Sequence, residues 1–148
     1  MGVVYPGGRK DLAFKGEAVE TRIVQQITFA NTSGVVPLFD VTGDVKVRLF
    51  CVVATSVASA IGCDAQVGIA ADPDAIVPLT DVTLLSAREF WYDDSPEIEI
   101  ETLEVERLYY LSDGNNIIMT LSAQADSGVL RWYCFWTPLS DDGAVTAP

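Results

Sequence analysis

One stretch near the C-terminal end, Ser127-Gly-Val-Leu-Arg-Trp-Tyr-Cys-Phe-Trp-Thr-Pro138, restricts most strongly what this chain can become. Its aromatic and branched residues favour strands. Alternate side chains of a strand point to opposite faces. Leu130, Trp132, Cys134 and Trp136 therefore share one face, and Val129, Arg131, Tyr133 and Phe135 share the other. Both faces are largely apolar. Such a strand either lies at the centre of a sandwich or covers its second face with another subunit. The first set is assigned to the core. Tyr133, Phe135 and Arg131 are the candidates for contact with a neighbouring copy, and Trp91, inside the contiguous run Phe90-Trp91-Tyr92, joins them.

The remaining segments read as strands divided by turn signals. Glu17–Ala30 is taken as a strand, Asn31-Thr-Ser-Gly34 as a turn, and Val35–Val41 as a short strand whose Pro37 suits an edge. After Thr42-Gly43-Asp44, Val45–Thr55 alternates: Val45, Val47, Leu49, Cys51 and Val53 lie on one face, Lys46, Arg48, Phe50 and Val52 on the other. Ser56–Gly62 reads as a loop. Asp64–Ala71 and Ile76–Leu85 are strands around a turn at Asp72-Pro-Asp74. Glu97–Leu111 changes phase, and a bulge near Glu101–Thr102 would restore one inner face. Asp113-Gly114 signals a hairpin into Ile117–Ala123, and Asp126-Ser-Gly128 a further turn. Eight or nine short strands with such punctuation predict an all-β fold, an antiparallel β-sandwich of jelly-roll type. The domain spans 17–138, between a flexible N-terminal arm (1–16) and an extended C-terminal tail (139–148).

Composition excludes more chemistry than it suggests. The 148 residues carry 21 Asp and Glu against nine Lys and Arg, a net charge of −12, which opposes binding to phosphate backbones. No apolar run reaches the roughly 18–20 residues of a membrane-spanning helix, and the first residues lack the apolar core of a secretory signal. The chain contains no histidine, which removes the commonest metal ligand and the usual general base. Cys51, Cys63 and Cys134 are odd in number and lack CxxC spacing, so neither a zinc site nor a disulfide framework is expected, and a reducing cytoplasm suits folding. Cys51 and Cys134 fit buried positions, while Cys63 lies beside Asp64 rather than a base that would activate it.

The acidic group Asp93, Asp94, Glu97, Glu99, Glu101, Glu104 and Glu106 could in principle supply a carboxylate pair or calcium ligands. Its alternation with apolar residues reads better as a solvated or partner-facing sheet face. No Gly-x-Ser-x-Gly, phosphate-binding glycine loop or dinucleotide fingerprint occurs. No catalytic residue, cofactor, metal or small-molecule substrate is assigned, and an enzyme is not expected.

Pro37-Leu-Phe-Asp-Val-Thr-Gly-Asp-Val-Lys-Val-Arg-Leu-Phe50 resembles the hydrophobic-x-Val-Thr-Gly-x-Val-x-Val opening of small virion proteins of tailed bacteriophages. Gly128-Val-Leu-Arg-Trp-Tyr-Cys-Phe-Trp-Thr-Pro-Leu-Ser-Asp-Asp-Gly-Ala-Val145 is similar to their closing pattern. The resemblance covers most of the chain beyond its first segment. It implies a non-enzymatic head decoration (cement) protein: β-rich, trimeric, assembled in the host cytoplasm, and bound on the outer surface of the head where major capsid protein subunits meet. Tyr5, Arg9 and Lys10 in the arm, and Leu139 and Val145 in the tail, are then the candidates for capsid contact. A tail-tip, fibre or neck module binding host glycan or another virion protein is the alternative, with Trp91 and Trp136 as its stacking residues.

Overall fold

A computed structural model describes residues 20–93, 97–98 (backbone only) and 107–148. These residues form nine antiparallel strands and a single 3₁₀ turn at Val82–Leu84. The strands are β1 (Thr21–Thr42), β2 (Val45–Ala58), β3 (Asp64–Ile69), β4 (Asp72–Asp81), β5 (Glu89–Trp91), β6 (Glu97–Ile98), β7 (Tyr109–Leu111), β8 (Ile117–Pro138) and β9 (Ala144–Thr146). The pairing path runs β4-β3-β8-β2-β5-β6, with β1 on the second edge of β8 and β7 on β2. The expected antiparallel all-β sandwich forms; the jelly-roll connectivity is not what these pairings establish.

The architecture rests on β1 and β8, strands of 22 residues each that pair from Thr21 opposite Trp136 to Phe39 opposite Ile117. Both were expected to be interrupted by turns. Instead the two turn-rich segments face each other, with Ala30 opposite Ser127 and Thr32 opposite Ala125, and act as bends within continuous strands. Asn31 and Gly34 have positive φ (56° and 78°), and Gly128 has φ 134°. The inward parity of β8 changes here, from Ile117, Met119 and Leu121 to Leu130, Trp132 and Cys134. Irregular pairing absorbs the slip, between Thr32 and Gly34 on β1 and between Val53 and Ala58 on β2. The phase change near Glu101–Thr102 concerns residues outside those described.

The bend lets one ribbon serve two layers. The first contains Thr21–Ala30, Ser127–Pro138 and β2, with β5 and β7 on the far edge of β2. The second contains Gly34–Phe39, Ile117–Leu121, β3 and β4. Trp91, Trp132, Phe39, Leu38 and Met119 fill the interior between them. Two polar contacts cross the layers: the Trp91 indole N–H donates to Thr80 Oγ1 at 3.2 Å, and the Tyr109 hydroxyl donates to the Ile76 carbonyl at 3.1 Å.

Other expectations are corrected locally. The Asp113-Gly114 turn does not make a hairpin, because β7 pairs with β2 while the start of β8 pairs with β1 and β3. The turn carries the chain from one layer to the other. Its side chains are committed to the β1–β2 connection: Asn116 Oδ1 accepts from Val41 N and Asp113 Oδ1 from Gly43 N, both at 2.8 Å. After Pro138 the chain returns to the β1–β2 connection. Leu139 N donates to Asp44 O at 2.8 Å, and β9 pairs with Asp40–Thr42.

Candidate functional site

The outward face of the first layer collects the groups that the two-sided strand required. Cross-strand register builds it row by row. Arg22 and Arg48 flank Phe135; Val24 and Phe50 flank Tyr133; Gln26 and Val52 flank Arg131, with Phe90 beyond Val52; Lys46 lies between Thr137 and Tyr110. Alternate residues of each strand turn inward to the core, and the intervening residues are half-buried or exposed.

The rings do not stand singly. Phe50 stacks on Tyr133 with centroids 5.1 Å apart and planes 14° from parallel, and lies 6.0 Å from Phe135 and 6.1 Å from Phe90. Arg48 places its guanidinium 4.2 Å from the Phe135 centroid, a cation–π contact. The same guanidinium grips Glu20 through two hydrogen bonds of 2.9 and 3.0 Å. That bidentate grip holds the Glu20 carboxyl below its ordinary range, burial acting weakly the other way. Mutual stacking pre-orients a ring surface at little further entropic cost, which suits a protein interface better than a cleft for a small molecule.

Of the interface candidates, Tyr133, Phe135 and Arg131 lie together on this face, half-buried. Trp91 does not. It is fully buried, its ring 5.2 Å from that of Trp132, because β5 pairs with β2 in the register that puts Phe90 outward and Trp91 inward. It is a core residue, and no longer a candidate for stacking a sugar. Trp136 is only partly buried, and the indole nitrogens of Trp132 and Trp136 meet no acceptor among the described residues. Phe50, Phe90 and Tyr110 complete the patch. The alternation of Val45–Thr55 marked Phe50 as outward, but nothing local showed that it would stack beside Tyr133.

Of the capsid-contact candidates, Val145 is also corrected: it pairs with Val41 and is buried in the core. Leu139 is 53% exposed. Tyr5, Arg9 and Lys10 lie outside the described residues, as do Asp94, Glu99, Glu101, Glu104 and Glu106 of the acidic group.

Among the described residues, no three His, Cys, Asp or Glu side chains come together as metal ligands. The three cysteines are free and buried. Burial pushes the Cys51 and Cys63 thiols up, and Cys134 up to about 12, so none is poised as a nucleophile.

No protein-family model matches the chain, and no curated protein matches it by sequence. Among solved structures, a chain of the acidic stable capsid of Helicobacter pylori bacteriophage KHP30 is matched over its whole length by 88% of this chain, at TM-score 0.53 and 8% identity. A chain of the cyanophage Pam1 capsid asymmetric unit gives TM-score 0.49 and 11% identity, covering 93% of this chain and 94% of that one. At such identities the likeness is one of fold: this chain shares its all-β architecture with a capsid component of KHP30.

Proposed function

We propose that the chain is a non-enzymatic structural protein of a tailed-phage virion, and that it decorates the outer surface of the head. In this reading it self-associates, as a trimer, and each assembly binds across neighbouring major capsid protein subunits. The observation that carries the proposal is the end-to-end match of its fold to a chain of the KHP30 capsid. The stacked outer face adds to it, because a half-buried aromatic surface on a central sheet is suited to permanent association. Tyr133, Phe135 and Arg131 would serve contacts between copies. Leu139, with Tyr5, Arg9 and Lys10 of the N-terminal segment, would serve contacts with the shell.

The mechanism is additive. Each copy joins surfaces that expansion of the shell would pull apart, and many modest contacts on a lattice act together through high effective concentration. A cryo-electron density map of the particle tests this. Many copies at lattice positions on the head are expected. A few copies confined to tail or neck would overturn it in favour of a tail-tip or neck module, whose glycan or protein ligand would then be sought on the same aromatic face.

A further inference from the structure

Charge on this molecule is segregated, and the segregation bears on how copies meet. The segments Thr21–Ala30, Val45–Ala58 and Ser127–Pro138, the three long strands under the aromatic patch, contain Arg22, Lys46, Arg48 and Arg131 and no acidic residue; on the short strands at the far edge, Glu89 of β5 is buried and Glu97 of β6 pairs with Phe90. Four of the chain's nine cations thus lie in this sheet, and register puts all four in its outward rows. Glu20, just before β1, pairs with Arg48 of this set. The opposite layer is the reverse. From Asp64 to Ala87 there is no Lys or Arg, while Asp64, Asp72, Asp74 and Asp81 all belong to the β3–β4 hairpin. Exposed apolar side chains accompany them: Leu79 on β4, Leu84 in the 3₁₀ turn, and Ile61 in the loop that meets this turn through the Val82 N to Cys63 O hydrogen bond.

We propose that the basic aromatic face of one copy docks on the acidic, leucine-bearing β3–β4 hairpin of a second copy. The inference rests on the self-association included in the reading above and specifies its geometry. A twofold contact would lay the face against itself, setting Arg22, Lys46, Arg48 and Arg131 against their own counterparts at short range, where like charges are costly. The hairpin and the 3₁₀ turn after it instead offer carboxylates for the guanidinium groups and Leu79 and Leu84 for the rings. Such a contact is head-to-tail, and it closes into a ring when the rotation between copies allows. A net charge of −12 does not prevent it, because at physiological salt charges interact only within about 8 Å and the local pattern decides. The same net charge weighs against a nucleic-acid occupant.

The test uses the full chain, by light scattering after size-exclusion chromatography. Arg22→Glu with Arg131→Glu makes both surfaces acidic; Asp64→Lys with Asp74→Lys makes both basic. Each double variant is expected to be monomeric and folded by circular dichroism, with self-affinity reduced about tenfold or more per reversed charge. Mixing the two variants is expected to restore pairing between unlike copies, since each then supplies the charge the other lacks; the pairs assemble only in even numbers, because a ring of three would set two like copies side by side. Retained assembly by the hairpin variant, or failure of the mixture to assemble, would overturn the proposal. So would a monomeric parent chain, even if the density map placed it on the head. Oligonucleotide binding by the parent chain, abolished by Arg22→Glu with Arg131→Glu, would assign the face to nucleic acid instead.

Discussion

The rings of Trp91 and Trp132 meet at 55° with centroids 5.2 Å apart, both fully buried, and they join the short strand β5 to the long strand β8. They differ in polar satisfaction: the Trp91 N–H donates to Thr80, whereas the Trp132 N–H has no acceptor among the described residues. Either residue changed to Ala should cost about 3–5 kcal/mol. Changed to Phe, Trp91 should cost more than Trp132 by about 1 kcal/mol, the net value of a hydrogen bond. Urea unfolding of the four variants checks this, and equal costs for the two Phe variants would show that the Thr80 contact contributes nothing.

The bends predict a contrast between two glycines. A Cβ at Gly34 would meet nothing within 4 Å, so Gly34→Ala should cost only the left-handed backbone, about 1–2 kcal/mol. A Cβ at Gly128 would lie 2.9 Å from Val57 Cα and 3.1 Å from Ser56 O, in a backbone of φ 134°. Gly128→Ala should therefore be the more damaging of the two, by about 1–3 kcal/mol. Melting temperatures of the two proteins decide the order.

Alkaline pH should destabilise the fold through its thiols. Burial raises the Cys134 pKa from 9.0 to about 12, so the folded state keeps a proton that the unfolded state releases. Stability from this group is complete below pH 9 and declines as pH rises from 9 toward 12. Cys134→Ala should flatten that decline in a series of unfolding curves. In the native protein at pH 8, iodoacetamide should modify none of the three thiols until the chain unfolds.

The Glu20–Arg48 pair works in the opposite direction. The folded carboxyl has a lowered pKa, so its contribution is present above 4.5, the ordinary carboxyl value, and is lost as pH falls below it. Because both side chains are partly exposed, Glu20→Gln should cost less than about 1 kcal/mol, and added salt should shrink that difference. A loss that salt leaves unchanged would mean that packing, and not charge, is involved.

Tyr133→Ser and Phe135→Ser test the aromatic face as a contact surface. Both side chains are half-buried on the outside of the sheet. Their loss should abolish self-association while leaving the circular dichroism spectrum and cooperative unfolding intact. Unfolding of these variants as monomers would return the face to a purely structural role.

Much of the fold was legible from alternation. The inward set Val45, Val47, Leu49, Cys51 and Val53, and the inward Leu130, Trp132 and Cys134, are where parity places them. The bends were not, because Asn, Ser, Asp and Gly serve a chain reversal and a bend in a long strand through the same backbone freedom. The parity change across Gly128 is the local sign of a strand that continues through a bulge. Trp91 was misassigned for another reason: in Phe90-Trp91-Tyr92 both parities are aromatic, and only pairing with the distant β2 decides which turns inward. The basic face was half legible. Lys46 and Arg48 share one parity and Arg131 shares that of Tyr133, but their union needs β2 and Arg22 on opposite sides of β8.

Because β1 and β8 each run through both layers, the domain has no seam at which one layer could be peeled from the other. Tension along the strand direction would load the β1–β8 hydrogen bonds in shear, many at once, instead of opening them one by one like a zip. The ribbon therefore acts as a strap. The strength of the protein under pull should depend on direction, highest when the ends of β1 and β8 are drawn apart lengthwise.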